Sequence, residues 1–120
     1  MTPRDIILIG APVDSGKRRR GCLMGPDAYR VAGLAEALSS LGHRVSDWGN
    51  LAPDPADLSP DPRLFALPET VGWTAALMRA GREAAARGMP VFLGGDHALS
   101  MGSVAGVAAH AAEAGRPLFL

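Results

Sequence analysis

The sequence predicts an α/β fold built on parallel strands, and three observations predict it. Two short apolar runs rich in strand formers, Ile6-Ile7-Leu8-Ile9 and Pro90-Val91-Phe92-Leu93, each stop at a glycine. Between them lie stretches with apolar residues at helical spacing, too long for hairpins and long enough for crossover helices. The second run empties into Gly94-Gly95-Asp96-His97. An acid and an imidazole therefore sit at the carboxyl end of a strand, where open α/β sheets bind ligands.

The first strand, Ile6–Ile9, is β-branched and ends at Gly10. The segment after it, Gly10 to Lys17, invites a phosphate-loop reading that fails on spacing. Five residues rather than four separate Gly10 from Gly16, Arg18 follows the lysine, and Pro12 removes an amide that phosphate would need. No helix opens there either, which excludes the dinucleotide fingerprint. Lys17-Arg18-Arg19-Arg20 reads as a solvated loop whose arginines pair with nearby acids. The alternative is that one or two of them shape the field around an anionic substrate. Cys22 has no histidine near it in sequence and reads as a small packing residue.

Gly25-Pro26-Asp27 opens a helix: a turn residue, proline at the first position, an acid in the first turn. Val31, Leu34, Ala35, Leu38 and Leu41 carry its apolar stripe to a stop at Gly42, with Tyr29 and Arg30 off the stripe. His43 falls in the next connection and reads as exposed. Arg44–Trp48 alternates as a second strand ending at Gly49-Asn50, and a long loop follows. That stretch holds Pro53, Pro55, Pro60, Pro62 and Pro68, which excludes helix and central strand. Thr70 caps a helix through Trp73, Leu77, Ala80 and Ala84 to Gly88, with Trp73 as core or interface. After the strand at 90–93, small residues from Leu99 to Ala114 predict a helix packed close to the sheet, with His110 on its surface or at its cap. Pro117–Leu120 reads as a further strand, giving the order βαβαβαβ with right-handed crossovers. A strand left with an open edge predicts that residues 1–120 form a single domain that continues past its C-terminus.

Composition narrows the function. Twelve basic and twelve acidic residues cancel, which argues against a dedicated nucleic-acid or anionic-membrane binder. One cysteine cannot form an internal disulfide, and there is no signal-like N-terminus or membrane-length apolar run. A soluble, cytoplasmic protein is expected. From the residues alone His97 is a candidate metal ligand, with a turn histidine held by hydrogen bonds as the competing reading.

Three patterns, taken in order, resemble the arginase family of manganese ureohydrolases. The first is Gly10-Ala-Pro, then Arg19-Arg20-Gly21, then Met24-Gly25-Pro26-Asp27-Ala28-Tyr29-Arg30 leading into Ala32-Gly33-Leu34. The second is Asp47-Trp48-Gly49-Asn50-Leu51, and the third is Leu93-Gly94-Gly95-Asp96-His97 followed by Gly102-Ser103. The resemblance runs from about residue 6 to the last and rests on the order and spacing of the motifs.

It implies a three-layer α/β sandwich with a mainly parallel sheet, of the arginase/deacetylase kind, cradling two Mn²⁺ ions. His97 would ligate one manganese, Asp96 would be a structural acid, and the other ligands and the proton shuttle would lie beyond residue 120. Ala98 departs from the family's usual serine, which puts a hydrogen bond beside the ligand in doubt. The implied reaction is hydrolysis of L-arginine to ornithine and urea by a hydroxide bridging the two metals. Agmatine or another guanidino compound is the alternative substrate. A homo-oligomer, trimer or hexamer, is implied as well. The rival of another class is a non-catalytic fragment or assembly module that keeps only the front of the fold; a nucleotide-binding α/β protein is weakened by the two failed glycine motifs.

Overall fold

The computed structural model describes residues 2–119. Three parallel strands, β1 (Asp5–Ala11), β2 (Arg44–Asn50) and β3 (Met89–Gly94), form one sheet in the order β2-β1-β3. Helices α1 (Gly25–Val31) and α2 (Leu34–Ser40) connect β1 to β2, α3 (Leu67–Arg87) connects β2 to β3, and α4 (Leu99–Glu113) follows β3.

Alternation along β1 sends its side chains to opposite faces and so creates three layers. Ile6 and Leu8, with Leu93, meet Leu34, Ala35 and Leu38 of α2. Ile7 and Ile9 face Ala84 of α3 and Trp48, while Ala11 and Val13 pack with Trp73 and Leu77. Leu8, Ile9, Ala11, Leu77 and Ala84 are fully buried, so the core lies against both faces of the central strand. The α/β sandwich expected from the sequence is present.

Three elements differ from expectation. The helix expected from Pro26 to Leu41 is broken at Gly33, whose φ of 85° lies in the left-handed region. The break rotates Val31 out of the apolar stripe, leaving it 89% exposed. Helix α3 starts at Leu67, ahead of the expected cap at Thr70, because Pro68 sits in the first turn, where a missing amide costs nothing. Thr70 Oγ1 instead donates back to the Ala66 carbonyl. The expected strand at 117–120 is not formed among the described residues: positions 117–119 pair with no strand, and Leu120 lies outside the description. Among the described residues no helix is long and apolar enough to cross a membrane.

Residues 51–66 form the expected proline-rich loop, and α3 holds it. The Asp54 amide donates to the Gly72 carbonyl, and Arg79 grips the Asp54 carboxylate with both terminal nitrogens. Helices α3 and α4 pack closely because Gly102 and Gly106 present no side chain to the α3 backbone.

Candidate functional site

The order β2-β1-β3 places the switch point of the sheet between β1 and β3, and this is where the carboxyl-end crevice of such sheets opens. His97 stands there. Gly94 ends β3 opposite Ala11 of β1, and the chain then turns through Gly95 and Asp96. The Gly94–Gly95 peptide is cis, and Gly95 adopts a φ of 97°. A side chain at Gly95 would collide with the Ala11 carbonyl and the Val13 amide, so only glycine fits between the two strand ends. The Asp96 amide donates to the Val13 carbonyl at 2.8 Å, which stitches the turn to the loop after β1.

Asp96 is a structural acid in this arrangement. Its Oδ1 accepts the Ala98 amide at 3.0 Å, and its carbonyl accepts the Leu99 amide, so it shapes the entry to α4. His97 is exposed and borders a shallow cavity of about 320 Å³ with Gly95, Leu99 and Ser100. Ser100 Oγ lies 3.1 Å from His97 Nδ1 and donates to the His97 carbonyl at 2.8 Å. A hydroxyl therefore stands beside the ring even though Ala98 lacks one.

As a metal centre the described residues bring one candidate donor, His97, to the strand ends. Imidazole at a strand end suits Mn²⁺ as a single ligand. Among the described residues no group of three or more His, Cys, Asp or Glu could hold a metal ion. The two other histidines are elsewhere. His43 precedes β2 at the amino end of the sheet, where its Nδ1 accepts the Arg4 amide. His110 lies in the last turn of α4, roughly three turns from the His97 end.

The basic loop behaves differently from expectation. Among the described residues its one ion pair is Lys17 with Asp14 at 3.5 Å, and Arg18 stacks over the Phe65 ring at 4.8 Å instead of meeting an acid. Cys22 is only partly buried and touches Lys17, with Nζ 2.8 Å from Sγ, so it is no core packing residue. The contact with Cys22, aided by Asp14, holds the Lys17 ammonium above its ordinary value.

Sequence reasoning passed over Arg30, which the structure makes a hub. Its Nε and Nη2 donate to the two oxygens of Asp47 at 2.7 and 2.9 Å, and its Nη1 donates to Asp27 at 2.9 Å and Asn50 at 2.6 Å. Between Leu8 and Gly10 the register with β2 shifts, so that Asp47 faces Leu8 while Asn50 faces Gly10. That bulge carries the Asn50 amide over Gly10, where any Cβ would strike it. Gly49 between Asp47 and Asn50 adopts a φ of 77°, which helps turn both side chains toward Arg30, and nothing local in the sequence ties the three together.

The model of the Arginase family matches residues 4–120. The chain belongs to the arginase family. It is 47% identical over 115 residues to an arginase of Brucella melitensis, covering 94% of this chain and 38% of that one. An arginase of Agrobacterium fabrum is 46% identical over 116 residues, covering 94% and 36%. The solved arginase of Bacillus caldovelox superposes with a TM-score of 0.79 at 38% identity, over 92% of this chain and 38% of that one. The chain thus spans little more than a third of the length of these three relatives.

Proposed function

We propose that the chain is the front part of an arginase-type ureohydrolase that releases urea from L-arginine, with His97 as one manganese ligand. The observation that carries this is an exposed imidazole at the switch point, on a turn within a family match running over residues 4–120. The remaining ligands come from outside residues 1–120, as the share of the relatives left unmatched allows. When bound, a manganese pair supplies a nucleophile from water at neutral pH. This chain's own contribution is to hold one ligand ring at the strand end, on a turn fixed by Asp96 and Val13. A cytoplasmic homo-oligomer belongs to the same reading.

The test is urea release by the full chain with added Mn²⁺, on arginine and on agmatine, beside His97→Ala. Expected are release from arginine and loss of both activity and bound manganese in the variant. Activity on agmatine alone moves the assignment to another guanidino hydrolase. Manganese content unchanged in His97→Ala removes the ligand role.

A second reading has one observation in its favour: among the described residues there is no three-donor metal cluster. A non-catalytic module would bind Mn²⁺ weakly and release no urea from any guanidino compound.

A further inference from the structure

Helix α1 lies against the carboxyl ends of β1 and β3, and its Arg30 side chain reaches β2. At one end, Arg30 clamps Asp47 and Asn50 of β2. In the middle, the guanidinium lies over Gly10 of β1, where a built Cβ would come 3.0 Å from Nη2. At the other end Gly25, the first residue of α1, rests on the Gly94 carbonyl of β3 so closely that a Cβ would collide with it. The Gly94 carbonyl opens the turn that carries His97.

We infer that Arg30 is a positioning residue for the Gly94–His97 turn, acting through α1 and the Gly25–Gly94 contact. The helix is only seven residues long, so anchoring one end fixes the other. The bidentate pair with Asp47 is directional, because a guanidinium fork matches a carboxylate in one plane. The side chain of Arg30 is 23% exposed, and the partly covered setting keeps the pair from being screened like a free surface bridge. Lysine at this position would keep the charge and lose the fork.

The inference rests on the metal role proposed for His97 in one arm of its test only. In the full chain, Arg30→Met and Arg30→Lys are compared with wild type and His97→Ala by amide hydrogen exchange and by Mn²⁺ titration. Expected in Arg30→Met are faster exchange in peptides covering 93–100 and a rise in the manganese dissociation constant of about tenfold. Exchange in the middle of α3 should stay at the wild-type rate, and Arg30→Lys should fall between the two. Faster exchange at 44–50 with none at 93–100 would overturn the inference, since Arg30 would then pin β2 alone. A general rise across the sheet, with manganese affinity unaltered, would overturn it too. Should Arg30→Met fail to fold, Asp47→Asn loosens the same clamp and is read in the same way. If His97→Ala keeps its manganese, the metal reading fails, and the exchange at 93–100 still decides the role of Arg30.

Discussion

Ser100 Oγ stands 3.1 Å from His97 Nδ1 while donating its proton to the His97 carbonyl at 2.8 Å. One hydroxyl thus ties the ring of residue 97 to its own backbone across the first turn of α4. The serine expected at 98 is absent, and Ser100 places a hydroxyl beside the imidazole from two residues further on. With that proton on the carbonyl, Oγ can only accept from the ring, so the two contacts together suit the tautomer that carries its proton on Nδ1. Ring orientation matters because partners beside a metal ligand fix its direction and basicity.

On the metal role proposed for His97, Ser100→Ala in the full chain should raise the manganese dissociation constant by about tenfold. Ser100→Thr keeps a hydroxyl at the same atom and should bind close to wild type. Manganese titration of the three proteins checks this, and equal affinities would show that the ring is oriented without Ser100.

The clamp at the other end of the site sets a pH dependence. Hydrogen bonds from Arg30, helped by the Gly49 amide, hold the Asp47 carboxyl below its ordinary value of 3.8. A carboxyl with a lowered folded-state pKa contributes its stability above the unfolded value and loses it as pH falls through the folded one. The contribution should therefore be whole at neutral pH and decline below about pH 4. Thermal melting of wild type and Asp47→Asn at pH 6 and pH 3 is the measurement. The gap in Tm between them should be wide at pH 6 and narrow at pH 3.

Much of this arrangement was legible in the sequence because it is written in local chemistry. The β-branched run Ile6–Ile9, the Gly94-Gly95 turn and the stop at Gly88 each force one local outcome. The break at Gly33 was hidden because Val31 and Leu34 sit at helical spacing on either side of it, and spacing alone cannot reveal a left-handed residue between them. Pro68 misleads because proline reads the same in a loop and in a first helical turn. Arg30 was invisible for a different reason. Its partners Asp47 and Asn50 are 17 and 20 residues away, and only the parallel pairing of β1 with β2 brings them under it.

The misplaced stripe gives a direct comparison between two apolar residues. Val31 is 89% exposed, whereas Leu77 is fully buried between α3 and the end of β1. Val31→Ala should change stability by no more than about 0.5 kcal/mol. Leu77→Ala removes a buried side chain and leaves a cavity, which should cost about 2–5 kcal/mol. Denaturant melts of both variants check the break at Gly33, since a continuous helix would bury Val31 and make its truncation costly as well.

Glycines in α4 should reverse the usual rule for helices. Replacing an interior helical glycine with alanine ordinarily gains about 0.5–1 kcal/mol by restricting the unfolded chain. At Gly106 the added methyl would run into the Met78 carbonyl of α3, and Gly102 faces the Thr74 carbonyl in the same way. Both are backbone atoms, so relief requires the two helices to move apart and loosens the packing around Leu77. Gly106→Ala should therefore destabilise by about 1–3 kcal/mol, the range for overpacking a tight interface. Gly16 has open space around it, and Gly16→Ala should be neutral or slightly stabilising. Melting temperatures of the two variants decide the matter: a stabilised Gly106→Ala protein would mean that α3 and α4 do not approach at this position.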